Sequence, residues 1–224
     1  MKTLILGPHP DDELLGCGGT ILKRKAQGAE VAWLLVTSIS EENGWSNDRV
    51  RSRIIEVDKV RDGLGILPEF FFELNFPAAT LDRISMATLI KRISMIIESF
   101  RPDEILLPHP GDVHGDHRVA FEAGIACTKW FRYPFIKRIL TYETPSETNF
   151  GMDPRYRQFQ PNKYEDIEEY LQKKLSLLTI YKSEMDAFPF PRSLEGIEAL
   201  ARVRGTESGF LAAEGFCLLR ERCS

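Results

Sequence analysis

The chain has 224 residues, 43% of them hydrophobic and 28% charged, with a formal net charge of −4. That length suits a single α/β domain with a well-buried core, and the composition is that of a globular protein rather than a disordered or fibrous one. The acidic balance argues against a nucleic-acid surface, and no apolar run approaches the roughly 18 residues that a membrane span needs.

Met1-Lys2-Thr3 leads straight into a short apolar run (residues 3–7) that reads as a strand, without the apolar region of a signal peptide, so a cytoplasmic location is expected. Residues 13–27 carry Leu14, Leu15, Gly18, Ile21, Leu22 and Lys25 at helical period, stopped by Gly28. Residues 31–36 form a continuous apolar run suited to a strand buried on both faces. A helix marked by Ile54, Val57, Val60 and Leu64 stops at Gly65 and Pro68, and a short strand covers 70–72. Asp82 is expected to cap a helix through Leu89, Ile93 and Ile97, with a strand at 105–107 after Pro102. Val119, Ala123 and Ala126 mark the next helix, and 139–142 the next strand. This alternation predicts a mostly parallel sheet with helices on both faces.

The last third differs in texture. Residues 145–162 read as a turn-rich excursion, and Tyr164, Ile167, Leu171, Leu175, Leu178 and Tyr181 as one helical face. The loop Phe188-Pro189-Phe190-Pro191, a helix near 194–204 and a strand at 216–219 complete the chain. The expected organisation is one domain over 1–224, with a core of about 1–144 and an extension of about 145–224 that walls the active site. Cys17, Cys127, Cys217 and Cys223 are too widely spaced for a disulfide framework or a zinc knuckle and are read as reduced thiols.

All four histidines lie in two short stretches, each directly after a predicted strand. One is Gly7-Pro8-His9-Pro10-Asp11-Asp12-Glu13; the other is His109-Pro110-Gly111-Asp112-Val113-His114-Gly115-Asp116-His117. Within the first, His9 and Asp12 stand three apart and can face one way, whereas Asp11 must point elsewhere. His9, Asp12 and His117 make a three-ligand set with a fourth position open to water, as in catalytic zinc sites. Such a metal lowers the pKa of its water to about 7, which leaves Asp11 as the general base. His114, if protonated, can stabilise an oxyanion, and Asp116 can orient the His114 ring. Acidic helix N-termini alone would explain the carboxylates, but not a His-x-x-(Asp/His) pair in both stretches. His109, between two prolines, is expected to support the site from behind.

These stretches resemble the LmbE-like (PIG-L) zinc N-deacetylases, whose His-Pro-Asp-Asp-Glu corresponds to His9–Glu13 and whose His-x-x-His corresponds to His114–His117. Arg53-x-x-Glu56 with Leu64-Gly65, Arg204-Gly205, and Ala213-Glu214-Gly215-Phe216 are similar to further family segments. The resemblance implies a Rossmann-like fold, one zinc per chain, and hydrolysis of an N-acetyl group from an amino sugar or sugar conjugate. It assigns His9, Asp12 and His117 to zinc, Asp11 as base, and His114 and Asp116 to the oxyanion. It also makes Arg53 a contact for sugar hydroxyls, set against a plain ion pair with Glu56. Self-association into a homo-oligomer is a further implication. Two family features are missing: an acidic position after the third strand, where Ala78 and Ala79 stand, and a Gly-Glu-x-Gly stretch, replaced by Ser40-Glu41-Glu42-Asn43-Gly44-Trp45.

Among weaker signals, Gly16-Cys17-Gly18-Gly19 sits inside a helix and reads as close helix–sheet packing, not as a dinucleotide turn. Trp45 can stack on a sugar face from its loop, Glu143 ends a strand at the same edge, and Arg202 and Arg204 read as a solvated helix face. The leading expectation is a zinc-dependent deacetylase of a small N-acetyl sugar or conjugate. The alternative is a metal-dependent hydrolase of another amide or of a phosphoester, which as a two-metal enzyme would need further carboxylates such as Glu13, Asp112 and Asp116.

Overall fold

A computed structural model describes residues 1–155 and 158–223. In chain order the elements are β1 (Lys2–Gly7), α1 (Asp12–Ala26), β2 (Glu30–Ser38), α2 (Asn47–Gly63), β3 (Phe71–Pro77), α3 (Met86–Phe100) and β4 (Glu104–Pro108). Then follow α4 (Gly115–Ala126), β5 (Arg138–Tyr142), β6 (Lys163–Asp166), α5 (Glu168–Leu178), α6 (Leu194–Ser208) and β7 (Ala213–Glu221). They form one sheet in the order β3-β2-β1-β4-β5-β7-β6, parallel from β3 to β5 and antiparallel at β7 and β6. The expected α/β architecture, a mostly parallel sheet with helices on both faces, is the observed one.

Strand alternation sorts the core into two layers. Ile5, Trp33, Leu35, Leu106, Leu140 and Tyr142 point to the side covered by α1, α2, α5 and α6. Leu4, Leu6, Leu34, Val36, Ile105 and Leu107 point to the side covered by α3 and α4. Because the central strands are apolar on both faces, they read in sequence as continuous hydrophobic runs.

α1 approaches the sheet so closely that side chains would not fit between them. A Cβ on Gly16 would overlap the Tyr142 ring of β5, and on the side of α5 one on Gly19 would stand 2.7 Å from Ile167, the residue before that helix. A buried ion pair holds the same helix from the C-terminal third. Glu214 accepts the N–H groups of Gly19 and Thr20, each at 2.8 Å, and pairs with Lys174 at 2.7 Å. Lys174 in turn donates to the Leu15 carbonyl at 2.9 Å.

Several boundaries differ from expectation. The third helix is capped by Ser85, which accepts from the Thr88 N–H at 3.2 Å, and not by Asp82. Asp82 lies instead in a 3-10 turn, Leu81–Arg83, because the Leu81 N–H is drawn to the Asp116 carboxylate at 3.0 Å. α2 starts at Asn47, well before Ile54, with Ser46 as its cap. Tyr164 belongs to β6, where pairing with β7 overrides the helical spacing that it shares with α5. The third strand extends to Pro77. Of the excursion over 145–162, residues 156 and 157 lie outside the described residues. Among the described residues, no helix is long and apolar enough to cross a membrane.

Gly16→Ala is expected to cost about 1–3 kcal/mol in urea unfolding, because the methyl meets the Tyr142 ring and the Glu143 backbone. Gly115→Ala meets nothing within 4 Å and should be neutral or stabilising by a few tenths of a kcal/mol up to about 1 kcal/mol. Equal costs at the two positions would contradict the packing account.

Candidate active site

Crossover direction changes between β1 and β4, the two strands that lie side by side at the centre of the sheet. Their carboxyl ends open a crevice, the usual ligand position in an open α/β sheet. The loop after β1 brings His9, Asp11 and Asp12 there, and the loop after β4 brings Asp112, His114, Asp116 and His117.

Asp12 is the meeting point. Its Oδ2 accepts the His9 N–H at 2.8 Å and faces His9 Nδ1 at 3.5 Å and His117 Nε2 at 3.3 Å. The other nitrogen of each imidazole is held by a second carboxylate: His117 Nδ1 by Asp112 at 2.8 Å, His9 Nε2 by Asp116 at 3.0 Å. These carboxylates are themselves tied, Asp112 by the Thr148 hydroxyl at 2.7 Å and Asp116 by the backbone N–H of Ala79 at 2.7 Å. Rings braced in this way present fixed nitrogens to a cation.

The charges indicate what the pocket is built to hold. Burial opposes protonation of His9, but hydrogen bonds to Asp116 and Asp12 outweigh it and raise its pKa to about 9. Burial likewise opposes charge on His117, yet Asp12 and Asp112 lift it well above its usual value. Burial alone would raise Asp12, but His117 and His9 hold it far below the carboxylate range. Positive charge is thus favoured between these three groups. His9, Asp12 and His117 bring one ligand atom each to within 4.8 Å of one another. His117 Nε2 is buried and faces Asp12 Oδ2 at 3.3 Å without a hydrogen bond of good geometry, as suits two atoms that would share a metal. The nitrogen and carboxylate donors fit zinc.

Asp11 has a left-handed backbone, with φ of 120°, and its N–H is taken by the Glu13 carboxylate at 3.0 Å. The Tyr181 hydroxyl donates to the other oxygen of Glu13, also at 3.0 Å. So supported, Asp11 turns away from Asp12 and accepts from Arg192 at 2.8 Å. Burial and the charge of Asp12 raise its pKa to about 7, against the pull of Arg192.

His114 differs from expectation in its charge, and Asp116 in its partner. His114 Nδ1 accepts the Asp116 N–H at 3.1 Å, which leaves the proton of a neutral ring on Nε2. Burial and the neighbouring His9 and His117 lower its pKa to about 4, so it is a neutral donor rather than an imidazolium. The Asp116 carboxylate does not serve to orient His114. It is taken up by His9 and by the N–H groups of Ala79 and Leu81, because the 3-10 turn after β3 closes over it.

These residues line a cleft of about 220 Å³ that Trp45, Arg53, Glu184 and Arg192 also border. Arg53 combines both of its expected placements: it lies 3.5 Å from Glu56 and borders the cleft, where it also pairs with Glu184. Trp45 is half exposed at the rim. Ala79 stands where the resemblance led one to look for an acid, and its backbone N–H is what the site uses. His109 is buried with its ring edge-on to Phe159, 5.2 Å between centroids. Glu143 is bound to Arg204 by two bonds of 2.7 Å, so Arg204 is an internal clamp and not a solvated residue.

Sequence reasoning missed Arg192, the support of Asp11 by Glu13 and Tyr181, and the bracing of His117 by Asp112. Arg192 follows the Phe188–Pro191 loop, and nothing near it in sequence announces a partner 181 residues away.

The PIG-L family model, described as GlcNAc-PI de-N-acetylase, matches residues 4–128, more than half of the chain. The chain is 28% identical over 228 residues to a diacetylchitobiose deacetylase of Thermococcus kodakarensis, covering 96% of this chain and 81% of that protein. Among solved structures it resembles the conserved protein TT1542 of Thermus thermophilus, with a TM-score of 0.78, 25% identity and coverage of 99% and 96%. It also shares its fold, with a TM-score of 0.75 at 15% identity and coverage of 100% and 98%, with the 4-carboxy-2-hydroxymuconate hydratase GalB of Pseudomonas putida KT2440. The matched span includes both histidine stretches: the chain belongs to the PIG-L family of de-N-acetylases and is an amidohydrolase.

Proposed function

We propose that the chain is a zinc-dependent hydrolase that removes the N-acetyl group from an amino sugar or sugar conjugate. The observation that carries this reading is the pair of braced imidazoles converging on Asp12, with Asp11 alongside but turned to a separate partner. That arrangement separates holding a metal from moving a proton. His9, Asp12 and His117 would hold one zinc ion per chain, which when bound polarises an amide carbonyl and acidifies water.

The remaining steps belong to the protein. Asp11, with a pKa near neutrality, takes a proton from the attacking water as its oxygen bonds to the carbonyl carbon. The neutral His114 donates its Nε2–H to the developing oxyanion. As the C–N bond breaks, Asp11 passes its proton to the departing amine, leaving acetate and a free amino sugar. Asp112 and Asp116 act through the imidazoles that they hold. Trp45 offers an aromatic face to the sugar, and Arg53 a guanidinium at its edge.

A two-metal phosphoesterase would draw on a second group, His9, His114 and Asp116. That group shares His9 with the first, and both Asp116 oxygens already accept backbone N–H groups. The single-metal reading is therefore the one adopted.

Asp11→Asn should keep one zinc per chain by elemental analysis and lose about 10²–10⁴-fold in turnover, read as acetate released from N-acetylglucosamine. A near-wild-type rate would remove Asp11 as the base. His117→Ala should lose the metal, and Asp112→Ala should weaken zinc binding by about 10–100-fold in competition with a chelator. Unchanged zinc affinity in Asp112→Ala would show that the imidazole needs no bracing.

A further inference from the structure

A second cavity, of about 530 Å³, opens directly beside the catalytic cleft. The two share Pro10, Ser38, Ile39 and Arg53 as lining, so they form one continuous depression. Its volume lies within the range of small-molecule sites.

The cavity exists because α2 covers the sheet incompletely. Of this helix only Val57 and Val60 are buried, while Ile54 remains 58% exposed. Val50, Ile54 and Val57 recur at helical spacing and form one wall. Facing them are Phe71 and Glu73, alternate residues of β3, and Leu35 of β2, which is in register with Glu73. The result is an apolar slot with polar ends, open to the catalytic groups on one side.

Among the described residues, its lining carries three carboxylates, Glu42, Asp58 and Glu73, and one guanidinium, Arg53. Arg61 offsets Asp58 at 2.6 Å and part of the charge of Glu73, and Arg53 is paired outside the slot, which leaves a modest acidic excess at Glu42 and Glu73. Burial and the charge of Asp58 raise the pKa of Glu73. Among the described residues lining either cavity, the guanidinium groups are those of Arg53 and Arg192. Arg53 is engaged by Glu184 and Glu56, and Arg192 by Asp11 and Glu184. An incoming phosphate would meet the carboxylates of Glu42 and Glu73, and guanidinium groups already engaged by Glu56, Glu184 and Asp11.

We propose that the slot between α2 and β3 binds the part of the substrate beyond the reacting sugar. It selects a unit with an apolar face that is neutral or positively charged, and rejects phosphate- or carboxylate-bearing units. This inference rests on the deacetylase reading and narrows its substrate class. A free or glycan-linked amino sugar, or one on an apolar or amine-bearing aglycone, fits the slot. Nucleotide-linked and phospholipid-linked sugars do not.

The test uses four N-acetylglucosamine compounds: the free sugar and its phenyl, aminomethylphenyl and carboxyphenyl β-glycosides. The expected order of kcat/KM for the glycosides is aminomethylphenyl, then phenyl, then carboxyphenyl, with about tenfold between the first and last. Glu73→Lys should bring carboxyphenyl level with aminomethylphenyl or above it. Ile54→Trp, which fills the slot, should cost the three glycosides about tenfold while leaving the free sugar unaffected. Equal kcat/KM for all three glycosides in the wild type, or an order unmoved by Glu73→Lys, overturns the proposal. If the zinc-loaded wild type releases acetate from none of the four, the deacetylase reading itself fails, a result distinct from uniform turnover.

Discussion

Everything in the site depends on one buried carboxylate, Asp12, being shared by two loops that are far apart in sequence. It binds the backbone of its own loop through the His9 N–H and reaches His117 on the loop after β4. Parallel β1 and β4 lie side by side only because the crossovers diverge at this point, so the topology creates the meeting place and Asp12 occupies it. Remove that carboxylate and two imidazoles, each with one nitrogen already committed, face each other without an intervening negative charge.

Concentrating so many ionisable groups in a core has an electrostatic cost, and the surrounding architecture is arranged to offset it. Asp11, Asp12, Glu13, Asp112, Asp116 and His117 are all buried. An isolated buried ion loses several kcal/mol of solvation, so each requires a partner or must give up its charge. Asp12 and Asp112 are matched by His117, Asp116 by His9 and two backbone N–H groups, and Asp11 by Arg192. Glu13 follows the other course: burial and the nearby Asp11 raise its pKa well above the usual range. It then serves as a hydrogen-bonding strut between the Asp11 backbone and Tyr181. The Lys174–Glu214 pair fixes the helix that begins at Asp12 from its middle, using N–H groups that a helix otherwise spends on its own ladder. Glu214 lies in the Ala-Glu-Gly-Phe segment, which gives that C-terminal motif a physical purpose remote from the chemistry.

How much of this could be read from the chain depended on whether the signal was local. The alternation of strands and helices was legible because periodicity is a property of neighbours, and so was the grouping of His9, Asp12 and His117, since few roles other than metal binding require two His-x-x-(Asp/His) pairs at strand ends. The placement of Asp116 was not. Its carboxylate is close in sequence to His114, but its partners His9, Ala79 and Leu81 come from two other loops. The same holds for Glu143 and Arg204, each unremarkable alone and bound to each other across 61 residues. Asp82 and Tyr164 misled for a related reason: each satisfied a local rule that a tertiary contact overrode, the pull of Asp116 on Leu81 and the pairing of β6 with β7.

The likeness in fold to a hydratase at 15% identity shows how little the sheet by itself decides. What distinguishes one reaction from another on such a frame is the identity of a few side chains at the carboxyl ends of the strands. In this chain those side chains fall into two sets with different supports. The groups proposed to hold a metal and move a proton follow the two central strands and are braced by Asp112, Asp116, Glu13 and Arg192, so they cannot shift without exposing buried charge. The residues that border the rest of the depression, Trp45, Ile54, Glu73 and Arg192, come from the poorly covered edge of the sheet and from the C-terminal third. Trp45, Ile54 and Glu73 can vary without disturbing Asp12, whereas Arg192 is tied to Asp11. A frame built in this way separates the groups proposed for the reaction from the walls that would meet the rest of a substrate.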